Sequence, residues 1–206
     1  MLGTHGREIA KTVFTAPARA LARVGVTPNQ VTIVGTAVTV CAAILLLGTG
    51  RWISGPIVLG IVLFADSLDG TLARLTGKSS QFGAFLDSTL DRLGDGAVFG
   101  AITYALARQS TSSGLQSWLL IAAVVSMVGA ATVPYARARA EAVGAEASGG
   151  IAERTDRLVI ALVAVFCVGI GLPQWVLAMA LTWTALASLI TVVTRIQSAY
   201  RSIDKR

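Results

Sequence analysis

The chain has 206 residues, 54% of them hydrophobic and 14% charged, and carries a formal net charge of +6. Soluble domains hold about 25% charged residues, so a soluble globular protein is excluded, and with it a soluble basic domain that could bind nucleic acid. The surplus of cations suits membrane topology and anionic lipid instead.

Residues 1–27 contain no continuous apolar core of the kind a signal peptide needs. Ile9, Val13, Phe14, Leu21 and Val24 recur at roughly helical spacing among Arg7, Lys11, Arg19 and Arg23. That pattern predicts an amphipathic juxtamembrane helix lying on the membrane surface. Thr27 and Pro28 read as the N-cap and first residue of the next helix. Apolar runs then follow at about 30–50, 52–75, 84–107, 115–136, 158–172 and 174–194, all but the short fifth near the roughly 20 residues that span a bilayer. The expected fold is all-α: an integral membrane protein with six transmembrane helices after the surface helix. Residues 1–206 form one polytopic domain, with the six-helix bundle in 28–206.

Cations mark one side of that bundle. Arg74 and Lys78 lie between the second and third runs, and Arg137, Arg139, Arg154 and Arg157 between the fourth and fifth. Arg195, Arg201, Lys205 and Arg206 follow the sixth, while the opposite side has little beyond Arg51 and Arg108. The positive-inside rule places both termini and the 76–81 turn in the cytoplasm, which implies the cell membrane. Cys41 and Cys167 stand alone in apolar runs and read as buried thiols. The stretch GAEASGG (144–150) reads as a flexible turn.

The informative stretch is FADSLDGTLARLTGKSSQFGAFLDSTLD, residues 64–91. The chain has 11 acidic residues, and this window holds Asp66, Asp69, Asp87 and Asp91. A charge at that depth costs on the order of 3 kcal/mol and normally faces a partner or a cavity. Asp66, Asp69, Gly70, Ala73 and Arg74 follow the i, i+3, i+4, i+7, i+8 spacing of one helix face. Gly83, Asp87 and Asp91 follow i, i+4, i+8 on the next. Two helices joined by a short turn therefore aim four carboxylates at one place. Packed acids repel unless cations lie among them, and hard oxygen ligands suit Mg2+, or Mn2+, beside a substrate phosphate. Four carboxylates suffice for two divalent cations of the kind that stabilise attacking and leaving oxygens in phosphoryl transfer. Gly70 and Ala73 leave room for a ligand, and Gly83 lets the helices approach. Lys78 in GKS lacks the glycine spacing of a phosphate loop.

The spacing D66-x2-D69-G70-x2-A73-R74-x8-G83-x3-D87-x3-D91 resembles the complete motif of the CDP-alcohol phosphotransferase family. The resemblance implies a membrane enzyme that uses two divalent cations to join a CDP-linked alcohol to a second alcohol, releasing CMP. It implies metal ligation by Asp66, Asp69, Asp87 and Asp91, with Asp91 also the general base. Donor contacts, to CDP-diacylglycerol, are implied for Asn29, Gln30, Val31, Thr32, Gly70, Arg74 and Ser80. The family forms homodimers, and small-residue faces in spans three and four suit self-association.

The second alcohol is less marked. Arginines at the cytoplasmic ends of spans four, five and six suit an acceptor that already carries phosphate. The segment YARARAE…GGIAERTDRL resembles the actinobacterial branch that uses inositol phosphate, with Thr132, Arg137, Arg154 and Arg195 implied at the acceptor phosphate. The rival acceptor is glycerol 3-phosphate, which is also anionic. A divalent-cation or proton-coupled transporter is the alternative of another class, since intramembrane acids also mark ion pathways. Acids gathered at one face, with no repeated broken helices, argue against it.

Overall fold

A computed structural model describes residues 14–109, 114–151 and 153–204. Residues 14–23 are helical (α1); Ile9 and Val13 of the expected surface helix lie outside the described residues. Phe14 is buried and stacks against Phe64 with ring centroids 4.9 Å apart. α2 (Pro28–Ala42) starts where the sequence places it. Thr27 Oγ1 accepts from the Gln30 N–H at 3.4 Å, and the Thr27 N–H donates to Gln30 Oε1 at 2.9 Å. This reciprocal capping satisfies two end donors. The helix widens into a π-turn at Ala43–Leu47 before the chain reverses.

The second apolar run forms two pieces, α3 (Ser54–Ala65) and α4 (Ser67–Thr76), rather than one helix. Asp66 sits at the break but keeps right-handed helical dihedrals (φ −56°, ψ −28°), so the acidic stripe carries across it. α4 ends on Gly77 at φ +62°, a conformation that glycine adopts without a Cβ penalty. Ser80 caps α5 (Gln81–Ala107), its Oγ accepting from the Gly83 N–H at 3.0 Å. α6 (Gly114–Ala142), α7 (Arg154–Gly169) and α8 (Trp175–Asp204) complete the chain.

Among the described residues, four helical segments are long and apolar enough to cross a membrane: Pro28–Leu47, Ser54–Thr76 (α3 and α4 together), Gly114–Ala142 and Trp175–Asp204. α5 has the length, but Asp87, Asp91, Arg92 and Asp95 cost it apolar character, and α7 has only 16 residues. α6 and α8 continue about two turns or more past their apolar runs, carrying Arg137 and Arg195 beyond or at the end of the apolar segment.

Leu47, Leu59, Phe99, Ile102, Leu119, Leu158 and Leu181 belong to one buried cluster drawn from α3, α5, α6, α7, α8 and the π-turn. The other faces present a mass of exposed Ile, Leu and Val, as lipid-facing helices do. α6 and α8 meet closely at Gly129, where a Cβ would fall 2.5 Å from Ser188 Cβ. The 144–150 turn is present but is tied down. The Glu146 N–H donates to Ser202 Oγ at 3.0 Å, the Ile151 N–H donates to Thr191 Oγ1 at 3.2 Å, and Ala145 and Ala147 are buried. Hydroxyls on α8 supply acceptors that a freely flexible turn would find in water.

Candidate active site

Two cavities meet at one end of the bundle. The first, of about 230 Å³, lies between the opening turns of α2 and α5 and the face of α4. Pro28, Asn29 and Thr32 line it from α2, Asp69, Gly70, Ala73 and Arg74 from α4, and Ser80, Gly83 and Asp87 from the start of α5. Free N–H groups at a helix start favour anions, and two such starts, Arg74 and Lys78 converge on this space. Gly83 eases the approach: a Cβ there would lie a tight 3.2 Å from Ser80 Oγ and 3.3 Å from Asn29 Oδ1. Gly70 leaves its wall open, with only Arg74 NH1 within 4 Å of an added Cβ, at 3.7 Å.

The four motif aspartates gather beside this space. Thr32 Oγ1 donates to Asp69 Oδ2 at 2.6 Å, fastening α4 to α2. Arg154 at the start of α7 reaches the same cluster, its NH1 donating to Asp66 Oδ2 at 3.2 Å and lying 2.9 Å from Asp91 Oδ1. Arg92 NH2 donates to Asp91 Oδ2 at 3.3 Å. With the side chains so arranged, no three acids, cysteines or histidines among the described residues form a ready metal-binding group. The guanidinium instead supplies the positive charge that neighbouring carboxylates demand. The donor set still fits hard divalent cations: carboxylate oxygens from two adjoining helices, part-buried, with exchangeable counter-charge between them.

The second cavity, of about 450 Å³, opens among α5, α6, α7 and α8. Its walls carry Arg92, Arg137, Arg154, Arg157 and Arg195, together with Glu141 and Glu153. Arg195 is held by NH1 donating to the Val133 carbonyl at 2.6 Å, and Arg137 pairs with Glu141 at 2.8 Å on the exposed rim. Ala84 lines both cavities, so they share a wall on α5.

Not every expected contact gathers here. Gln30 and Val31 face a third, apolar groove of about 680 Å³, lined also by Val34, Val38, Ile61 and Val62 and reaching Asp66 and Asp69. The Thr132 hydroxyl donates to its own helix at Val128 O, 2.8 Å, and Thr132 does not line the arginine-rich cavity. Conversely, Arg92 lines the arginine-rich cavity, as does Arg157 from the expected cationic set, and Asp95 is bonded to Arg154 beside it, though neither Arg92 nor Asp95 was singled out. Asp95 extends the i, i+4 series of Gly83, Asp87 and Asp91 by one more turn, and that signal was available in the sequence.

A helical bundle whose acidic motif adjoins an anion cavity and an apolar groove defines a class, and residues 25–194 match the profile of CDP-alcohol phosphatidyltransferase. The chain belongs to that family. It is 40% identical to the phosphatidylinositol phosphate synthase of Corynebacterium glutamicum, over 98% of this chain and 90% of that one. The synthase of Mycobacteroides abscessus is equally similar, 40% over 98% and 90%. Among solved structures, the Mycobacterium tuberculosis phosphatidylinositol phosphate synthase with CDP-DAG bound superimposes with a TM-score of 0.86. It is 36% identical, over 93% of this chain and 95% of that one. The same enzyme in complex with manganese and citrate gives 0.86 and 36%, over 92% and 90%.

Proposed function

We propose that the chain transfers the phosphatidyl group of CDP-diacylglycerol to inositol phosphate, giving phosphatidylinositol phosphate and CMP. The observation that carries a phosphorylated acceptor is the arginine-lined cavity sharing the Ala84 wall with the donor space. At about 450 Å³ it lies within the roughly 300–1,000 Å³ of small-molecule sites. Five guanidinium groups suit an acceptor that already bears a phosphate. The family supports the transfer itself, and the two relatives described above, each a phosphatidylinositol phosphate synthase, support inositol phosphate over glycerol 3-phosphate.

The residues divide the work. Arg74, Lys78 and the starts of α2 and α5 would take the donor's pyrophosphate, while Asn29 and Ser80 border it. The apolar groove beside Val31, Val34 and Val38 would receive acyl chain, since it runs from the carboxylates toward lipid-facing residues. Arg137, Arg154 and Arg195 would hold the acceptor's phosphate at the other wall. Asp91 would accept the proton of the attacking hydroxyl. That oxygen then bonds to the phosphorus bearing diacylglycerol, and the bond to the CMP oxygen breaks. Asp66, Asp69, Asp87 and Asp91 would hold two divalent cations, Mg2+ by the donor chemistry or Mn2+. When bound, these supply Lewis-acid stabilisation of the attacking and leaving oxygens and lower the hydroxyl's pKa.

The same reading makes α5 and α7 membrane spans, bringing the total to six in one polytopic domain. It places the cation-rich ends, both termini and the site at the cytoplasmic face. Self-association as a homodimer is part of the proposal. The test supplies labelled inositol phosphate or glycerol 3-phosphate with CDP-diacylglycerol, with and without chelator. Chelator-sensitive lipid labelling from the inositol compound is expected; labelling from the glycerol compound alone would overturn the acceptor.

A further inference from the structure

Asp95 lies one turn beyond Asp91 on α5, outside the family's aspartate series, and its side chain is 3% exposed. It lines neither the donor nor the arginine-rich cavity. A buried carboxylate is costly unless it is paired, so its use is read from its partner. Asp95 Oδ1 accepts from Arg154 Nε at 2.8 Å. Its second oxygen has no hydrogen bond and stands 3.9 Å from Arg92 Nε.

Arg154 has two claims upon it. It lines the arginine-rich cavity, yet its NH1 also lies against Asp66 and Asp91. Those two carboxylates are among the four assigned to cations in the proposed function, so cations would compete with NH1 for them. The Nε contact faces no such competition, because Asp95 stands outside the quartet. A guanidinium gripped at Nε is held in position, and NH1 would be freed for an anion where cations take Asp66 and Asp91.

We propose that Asp95 is a positioning residue for the acceptor: it grips Arg154 through Nε and fixes the guanidinium at the wall of the arginine-lined cavity. It touches neither substrate. The inference rests on the proposed reading of that cavity as the acceptor site. The loss should therefore appear in acceptor affinity and leave the donor alone.

The experiment compares full-length wild type, Asp95→Ala, Asp95→Asn, Arg154→Ala and the Asp95→Ala/Arg154→Ala double variant. Steady-state kinetics are measured with each substrate varied, alongside calorimetric binding of inositol phosphate in Mn2+ without donor. Removing a charge-assisted hydrogen bond should raise the acceptor KM and Kd of Asp95→Ala by about 10- to 50-fold, with the donor KM within about twofold. Asp95→Asn retains a carbonyl acceptor for Nε and should recover to within about fivefold of wild type. The double variant should be no worse than Arg154→Ala, as for residues acting as one unit. An unchanged acceptor KM in Asp95→Ala, equal rises for both substrates, or multiplying effects in the double variant would overturn the assignment. Should Asp95→Ala fail to fold, Asp95→Leu, which fills the buried space without an acceptor for Nε, decides by the same split between acceptor and donor. A wild type that ignores inositol phosphate defeats the reading of the cavity. Asp95 is then judged by the KM split for the phosphorylated alcohol that the enzyme does use.

Discussion

The donor space and the arginine-lined cavity share a wall but are built differently. The donor space is assembled from the first turns of α2 and α5, one face of α4 and the turn between α4 and α5. Apart from the α2 residues, everything in it comes from one short stretch of chain, and much of its character is backbone: helix starts, Gly70, Gly83 and a capping serine. The arginine-lined cavity draws side chains from four helices, between Ala84 and Arg195. Its chemistry lies in long guanidinium groups whose positions depend on partners, such as Val133 O for Arg195 and Asp95 for Arg154. A site made of local backbone is written into spacing; a site made of distant side chains emerges from packing.

The sharpest cut through this comparison is at the shared centre. Asp91 contacts Arg92 and Arg154 on the acceptor side and belongs to the motif of the donor side. Asp91→Asn keeps the shape but removes both the proton acceptor and a metal-binding charge. CMP release should fall by at least about 1,000-fold, consistent with loss of a general base worth roughly 10²–10⁴ together with weakened cation binding. The melting temperature should hold near wild type. Turnover within tenfold of wild type would remove Asp91 from the chemistry.

Next in size is a pair of opposite losses. Arg195→Ala should raise the acceptor KM about 10- to 100-fold, the worth of roughly 1.5–3 kcal/mol for hydrogen bonds to a charged group, and spare the donor KM. Arg74→Ala should do the converse. Initial rates with each substrate varied check both. If either change moves the two constants together, the cavities are not separate subsites.

How much of this was legible in advance follows the same division. The motif aspartates, Gly70, Arg74 and Gly83 fall where their spacing puts them, because a helix repeats every 3.6 residues and a short turn fixes its neighbour. Thr27 and Pro28 start α2 as expected, because capping is decided within one turn. Gln30 and Val31 were expected at the donor together with Asn29 and Thr32; they face the apolar groove while Asn29 and Thr32 face the polar space, since adjacent residues on a helix point about 100° apart. The helices also run past their apolar segments, as α8 does to Asp204. Lipid decides where hydrophobicity stops, but helix propensity decides where a helix stops. Asp95 had the right spacing to be noticed. Its partner, Arg154, lies 59 residues away, and only the tertiary fold, which seats α7 on α3 and α8, brings the two side chains together. The turn at 144–150 reads as free in sequence because serine and glycine fill it, whereas its acceptors come from α8.

The smallest effect tests the claim that the donor half is backbone-built. Gly83→Ala adds one methyl that would lie 3.2 Å from Ser80 Oγ and 3.3 Å from Asn29 Oδ1. Both neighbours are tighter than ordinary contacts, and both line the donor space. The Ser80 cap must give by a few tenths of an ångström, or α5 must shift against α2. Overpacking of this kind costs about 1–3 kcal/mol at the upper end, while alanine gains up to about 1 kcal/mol of helix propensity over glycine. The two nearly offset in stability, so melting should change little. The displaced cap remains, and with it an expected rise of about three- to tenfold in the donor KM, consistent with roughly 1 kcal/mol. The acceptor KM should not move, because the arginine-lined cavity meets this wall at Ala84 and not at residue 83. An acceptor KM that rises with the donor's would show that α5 moves as a rigid rod between the two sites, and would dissolve the contrast between local backbone and distant side chains.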